Sequence, residues 1–339
     1  MTRMRTRNLT IPAAAIIGLT AWTAGMLAQA PPQSFPNAPE GFDVRRPGIE
    51  TGRVERIEYA SSVTNTKRPA MVYLPPGYSS ARKYPVLYLL HGIGGNEKHW
   101  TQFGAADSIL DNLIAAKKAV PMIVVMPNGR ASNEPETNLF AGRGRPGQAG
   151  DAGAAGGRAG QGAGDAGQGR GQAAGGPPAG AGRPGGAGAG AGMGVEFQAY
   201  AAFERELIAD LIPYIESHYS AQSSREQRAL AGLSMGGGQS LNFGLGNVNT
   251  FAWVGGFSSA PNTAQPAQLL KDPAAARTQL KQLWVSCGDQ DSLFNISENV
   301  HKYLDEQKVP HIWHIDPGGA HTFPVWKNDL YHFSTLLFH

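Results

Sequence analysis

Residues 229–240 read Ala229-Leu230-Ala231-Gly232-Leu233-Ser234-Met235-Gly236-Gly237-Gly238-Gln239-Ser240, and the reading of this stretch decides the fold. A short apolar strand runs into a Gly-x-Ser-x-Gly turn, and the segment from Gly238 to Gly244 can continue as a helix. Glycines two places before and two places after Ser234 permit a tight turn that lifts the serine hydroxyl above the end of a sheet. The same string arises by chance in glycine-rich sequence. This copy, however, lies between an apolar strand and a helical segment, the context the chemistry requires, so Ser234 is the candidate nucleophile.

Working outward, Tyr84-Pro85-Val86-Leu87-Tyr88-Leu89-Leu90 and Met122-Ile123-Val124-Val125-Met126 are nearly continuous apolar runs. Such runs mark strands buried on both faces of a sheet. Phe251 to Gly255, Leu283 to Ser286 and Ile312 to Ile315 supply further strands. Between them, Ala106 to Ala116 has helical spacing, and Leu330 to Phe338 reads as a closing helix. Phe203, Leu207, Leu211, Ile215 and Tyr219 recur on one helix face, with a kink expected at Pro213. Near the start, Arg53 to Ser62 and Ala70 to Leu74 form an antiparallel hairpin around Asn65-Thr66-Lys67, at the edge of the sheet. Strands alternating with helices predict an α/β fold with a mostly parallel, doubly wound sheet, whose functional groups collect at the carboxyl ends of the strands.

Two segments stand outside this pattern. Arg3, Arg5 and Arg7 precede an apolar stretch from Ile11 to Leu27 that ends in Ala28-Gln29-Ala30, the layout of a secretory signal peptide over residues 1–30. The expected location is secreted or periplasmic, with no membrane association beyond this segment. Pro31 directly after Ala30 fits a peptidase poorly, so the cut lies a residue or two away or the segment stays as an anchor. Residues 142–194 consist almost wholly of Gly, Ala, Gln, Pro and scattered Arg, too little apolar surface to offset chain entropy, which predicts a disordered insert. It reads as a tolerated loop expansion. With residues 31–52 taken as a linker, one domain remains over 53–339, interrupted by the insert, at roughly the size of a single α/β unit. The net charge of +3 and the lack of a basic, aromatic-interleaved patch argue against nucleic acid. The single cysteine, Cys287, excludes an intramolecular disulfide and reads as a small buried hydrophobe.

A serine hydroxyl is a weak nucleophile and needs a base, an acid to orient that base, and donors for the developing oxyanion. On this fold the chain order is serine, acid, histidine. His321, in the loop Pro317-Gly318-Gly319-Ala320-His321 after the last strand, is the candidate base; His311, His314 and His332 read as structural or solvated. Cys287-Gly288-Asp289-Gln290-Asp291 offers two acids, and spacing leaves both open, since either aspartate follows the strand and Asp289 could cap the turn. The oxyanion donors are the N–H of Met235, directly after the nucleophile, and that of Ile93 in the turn His91-Gly92-Ile93-Gly94-Gly95. No phosphate-loop lysine follows the tandem glycines, and no histidine or carboxylate cluster has metal-ligand spacing; His311 and His314, three apart in a strand, point to opposite faces. No metal and no cofactor are expected.

These residues resemble the esterase-D group of α/β hydrolases, in particular feruloyl esterases of carbohydrate esterase family 1 such as the esterase domain of a cellulosomal xylanase. The resemblance rests on residues 88–95 through Trp100, on Met126-Pro127-Asn128, on 211–216 and 231–240, on 287–291, and on Gly318-Gly319-Ala320-His321 through Val325-Trp326. It implies the α/β-hydrolase fold and a nucleophile, acid and base at Ser234, Asp291 and His321, which selects the second aspartate. It further implies a serine carboxylic-ester hydrolase acting through an acyl-enzyme on feruloyl or acetyl esters of plant polysaccharide. Enterochelin-type esterases, S-formylglutathione hydrolases and mycolyltransferase-like acyltransferases share the pattern and are the alternatives. Trp100 is a candidate for lining the acyl pocket, with core packing as the other reading.

Overall fold

The structure is a computed structural model, and it describes residues 35–136 and 186–339, with side chains in the second stretch from Met193 onward. Strands β1 (Arg53–Ser61), β2 (Thr66–Leu74), β3 (Val86–Leu90), β4 (Ile123–Pro127), β5 (Arg228–Leu233), β6 (Trp253–Phe257), β7 (Gln282–Gly288) and β8 (Ile312–Asp316) form one sheet in the order β1-β2-β4-β3-β5-β6-β7-β8. The pairs β1/β2 and β2/β4 are antiparallel. The remaining pairs are parallel. Helices α1 (His99–Gln102), α2 (Ala106–Ala115), α3 (Gly186–Glu206), α4 (Ile212–His218), α5 (Met235–Gly246), α6 (Pro266–Leu269), α7 (Pro273–Gln279), α8 (Phe294–Glu306) and α9 (Phe323–Leu336) connect and cover the strands.

The unbroken apolar run of β3 follows from the alternation of side chains along a strand. Val86, Tyr88 and Leu90 join one core with Phe203, Leu207 and Leu211, with Leu241 and Phe243 of α5, and with Val300 and Leu304 of α8. Leu87 and Leu89 join the other, with Ile109, Leu110 and Leu113 of α2 and with Trp326, Leu330 and Phe333 of α9. Both faces are therefore buried, and neither phase of the strand tolerates a charge.

Several boundaries differ from the sequence reading. Where a kink was expected at Pro213, a π-helical segment, Leu207–Leu211, ends just before α4, whose first turn holds the proline. The closing helix begins at Phe323 rather than Leu330, because Pro324 is accommodated in its first turn, where an N–H has no intrahelical partner. Helix α8 was not anticipated: its buried stripe of Ser297, Val300 and Leu304 is narrow and lies among polar residues. The signal segment 1–30 lies outside the described residues, as do residues 137–185, which hold most of the insert read at 142–194. The last part of the stretch read as disordered, 186–194, is instead the beginning of α3. Adding turns to a helix already formed is far less costly than nucleating one.

The stretch read as a linker, 31–52, is anchored to the domain at several points from Phe35 onward, although none of its described residues is fully buried. The Phe35 ring meets Trp284, His314 and His332 at 5.0–5.6 Å between centroids. Ala38 N donates to Asn328 Oδ1 at 2.8 Å, and Asn112 Nδ2 donates to the carbonyls of Phe42 and Val44, each at 2.8 Å. The proline-rich composition hid this role, because the segment makes its hydrogen bonds to side chains rather than to a sheet or helix ladder.

Beneath this segment lies a buried polar cluster between β8 and α9. Asp316 Oδ2 is 3.4 Å from His314 Nε2, Asn328 Nδ2 donates to Asp316 Oδ1, and Trp284 Nε1 donates to Asp329 Oδ1 at 3.3 Å. Burial, reinforced by the charge of Asp316, pushes the Asp329 carboxyl up to about 8 against the opposing effect of His314. Between the unfolded carboxylate value of about 4 and this raised one, the folded protein holds a proton that the unfolded chain releases, so stability from this group is lost as pH rises through that window. Asp329→Asn, which cannot ionise, is expected to flatten the decline in thermal midpoint between pH 5 and 8 relative to the unaltered protein. Parallel pH profiles for the two proteins would contradict a protonated Asp329.

Candidate active site

β5 runs fully buried to Leu233 and the chain reverses at Ser234, which has φ 53° and ψ −117°, outside the ordinary regions for a residue with a side chain. The neighbours impose this. Ser234 N donates to Phe257 O at 2.9 Å, while Ser234 O accepts from Gly238 N at 3.0 Å and Ala260 N at 3.1 Å. A Cβ at Gly232 would sit 2.6 Å from Gly236 O, and one at Gly236 would sit 2.5 Å from His91 O. Strand, turn and helix approach too closely for a side chain at either place, which is the physical content of the Gly-x-Ser-x-Gly string.

The loop after β8 brings His321 to the serine from the other side. His321 Nε2 lies 2.8 Å from Ser234 Oγ, and His321 Nδ1 lies 2.7 Å from Asp291 Oδ2. Asp291 Oδ1 accepts from Leu293 N at 2.8 Å. Burial acts to raise the Asp291 carboxyl, but the hydrogen bond and charge of His321 outweigh it and hold the group below the usual carboxylate range. Asp289 is exposed and turned away: its Oδ1 accepts from Gly318 N at 2.8 Å and so braces the loop that carries His321. The two aspartates left open by spacing are thereby separated by geometry. His311 packs with His301 at 2.8 Å, and His332 Nε2 lies 2.7 Å from Pro36 O, both in structural settings. Cys287 is buried with its thiol pushed well up by burial, in keeping with a packing role.

Met235 begins α5, so its N–H is among the first-turn donors that lack an intrahelical acceptor. Ile93 lies in the turn after β3, and that turn is pressed against the serine: a Cβ on Gly92 would be 3.0 Å from Ser234 Cβ. Ser234, Met235, Ile93 and His321 all face one cavity of about 490 Å³. Its walls include Phe103, Phe197, Phe323 and Trp326, with His99 and Asn96 among the polar groups. Trp326 stands edge-on to the His321 ring at 4.9 Å. Trp100 is not part of this lining. It is fully buried, donates from Nε1 to Leu90 O at 2.9 Å and packs edge-on to Phe257, so core packing is its role.

The wall aromatics escaped sequence reading because they come from separate segments with no shared motif. Phe323 and Trp326 carried one usable signal, their closeness in sequence to His321. Folding also gathers two groups that spacing along the chain did not suggest as metal ligands: His301, Asp305 and His311, and His314, Asp316 and Asp329, each with potential ligand atoms within 4.8 Å. Neither lines the serine cavity.

Strand order, the strained serine turn and the Ser-His-Asp chain together define an α/β hydrolase. The family model named Esterase, with the description "Putative esterase", matches residues 61–153 and 184–333, and the chain belongs to this family. An endo-1,4-β-xylanase/feruloyl esterase of Xylanibacter ruminicola is 29% identical over 326 residues, 95% of this chain and 35% of the relative, so the chain spans about a third of that protein's length. A CE1 ferulic acid esterase of Anaeromyces mucronatus, solved with ferulic acid, superposes with a TM-score of 0.66 at 25% identity, over 90% of this chain and 98% of that one. The S-formylglutathione hydrolase of Staphylococcus aureus shares the fold, with a TM-score of 0.56 at 18% identity over 86% of this chain and 99% of its own.

The separation of the two aspartates generates a direct expectation. Asp291→Asn should lower kcat/KM for an aryl ester on the order of a thousandfold or more, whereas Asp289→Asn, whose amide oxygen can still accept from Gly318 N, should change it by about threefold at most. A larger loss from position 289 would contradict the geometry.

Proposed function

We propose that the protein is an exported serine carboxylic-ester hydrolase that works through an acyl-enzyme, with Ser234 as nucleophile, His321 as base and Asp291 as the group that orients it. The hydrogen-bonded chain Ser234–His321–Asp291 at the mouth of an aromatic cavity carries this reading. His321 Nε2 takes the Ser234 proton as Oγ attacks the ester carbonyl, while Nδ1–H stays on Asp291 and fixes the tautomer. The N–H groups of Ile93 and Met235 stabilise the oxyanion. Collapse of the tetrahedral intermediate expels the alcohol, which leaves with the proton from His321. Water, deprotonated by the same imidazole, then attacks the acyl-enzyme, and as the tetrahedral intermediate collapses His321 returns that proton to Ser234 Oγ and the carboxylic acid is released. No step requires a metal or organic cofactor.

The acyl group we propose is feruloyl, borne on plant polysaccharide. A planar phenolic acid suits walls built of Phe103, Phe197 and Phe323, whose rings offer offset and edge-on contacts. The names of the Xylanibacter and Anaeromyces relatives point the same way. The arginine-led apolar stretch at residues 1–30 supports export.

Kinetics with a panel of methyl ferulate, an acetylated xylan fragment and a simple aryl acetate test this reading. The expected order places methyl ferulate at least about tenfold above either acetyl ester in kcat/KM. Phe103→Ala, at the exposed rim of the cavity, should raise KM for methyl ferulate several-fold, as expected for loss of an aromatic contact of about 1 kcal/mol. It should leave aryl acetate turnover within twofold. Preference for acetyl esters, or equal effects of the variant on both classes, would exclude the feruloyl assignment.

A further inference from the structure

The turn carrying Ile93 is held by groups that the reaction scheme does not use. Gly129 N donates to His91 Nε2 at 3.0 Å, which makes that nitrogen the acceptor and places the imidazole proton on Nδ1. Nδ1–H then donates to Gly92 O at 2.7 Å. Burial holds the His91 pKa below its ordinary value, so this neutral tautomer persists. The same carbonyl accepts from Tyr200 Oη at 3.2 Å and from Gly95 N at 3.1 Å. Gln239, on the nucleophile's own helix, closes the circuit: its Nε2 donates to Gly129 O at 2.8 Å and to Tyr200 O at 2.7 Å. Two carbonyls this close leave only the amide nitrogen for that position, and they account for its orientation even though Oε1 is buried without a hydrogen bond.

We propose that this closed ring, Gln239–Gly129–His91–Gly92–Tyr200, is the device that aims the Ile93 N–H at the oxyanion, with His91, Tyr200 and Gln239 as positioning residues. In a trans peptide the C=O and the following N–H point in opposite directions. Three donors on Gly92 O therefore turn the Ile93 N–H away from the ring, toward the side on which Gly92 meets Ser234 and both Gly92 and Ile93 line the cavity. Gln239 ties this direction to α5, whose first residue supplies the other donor, so the two N–H groups are held in one frame. Gly94 N, which donates to Glu136 Oε1 at 2.7 Å, steadies the far side of the same turn. The ring joins four chain segments: the turn after β3, the loop after β4, α3 and α5. This inference rests on the assignment of Ile93 to the oxyanion made above.

Tyr200→Phe and Gln239→Met in the full-length protein test it. Each is expected to lower kcat for an aryl ester about tenfold, part of the value of a complete oxyanion donor, with KM within twofold. Phenylboronic acid, which forms a tetrahedral adduct on Ser234 Oγ, should weaken by the same factor as kcat/KM. The double variant should fall little beyond the worse single, because both changes act through one peptide group. A packing role alone would lower the thermal midpoint and leave boronate affinity unchanged; unchanged boronate affinity in both variants, or losses that multiply in the double variant, would overturn the proposal. Full turnover by Ser234→Ala would instead overturn the assignment of the nucleophile on which the proposal stands.

Discussion

The structure is organised around one strained residue. Ser234 occupies a backbone conformation that costs on the order of 1–3 kcal/mol for a residue with a side chain, and such strain persists only where the surroundings over-determine it. Here they do so on three sides. Its N–H is held by the end of β6, its carbonyl by Gly238 and Ala260, and the glycines at 232 and 236 let the turn press directly against β3. The turn places Oγ 2.8 Å from Nε2 of His321, which arrives on the loop after β8, and α5 starts at the next residue.

The rest of the molecule can be understood as holding partners at fixed distance from that hydroxyl. Parallel strands β5, β6, β7 and β8 end on one side, so the loops after β7 and β8 deliver Asp291 and His321 without long excursions. Asp289 acts one step further out, through Gly318, on the loop that carries His321. The chain before β1 has a different task. Among the described residues, Phe35 packs on Trp284, His314 and His332 and Ala38 N donates to Asn328, which ties residues 35–38 to β7, β8 and α9.

What could be read from sequence follows from the same physics. Strands β3 and β4 were plain because burial on both faces excludes polar residues from every position. Ser234, Asp291 and His321 were legible because each lies within five residues of the carboxyl end of a strand, in an order that this topology requires, although choosing Asp291 over Asp289 needed a family resemblance until the geometry separated them. The features that stayed hidden are those created by contacts between distant segments. Phe103, Phe197 and Phe323 form one wall only after folding. Trp100, adjacent in sequence to a functional turn, points into the core because its indole N–H is satisfied by Leu90. The start of α9 was masked by Pro324, a helix breaker everywhere except the first turn. Tyr200 and Gln239 carry no signal of their own, since a tyrosine and a glutamine mid-helix are ordinary until their partners are known.

The central claim is that ester cleavage proceeds through covalent attachment at Ser234. Rapid acid quench during turnover of an activated feruloyl ester, followed by peptide mass analysis, tests it most directly. Covalent catalysis at Ser234 predicts a single feruloyl mass increment on the peptide containing Ser234, absent in Ser234→Ala. An adduct on another residue, or undiminished turnover by Ser234→Ala, would contradict it.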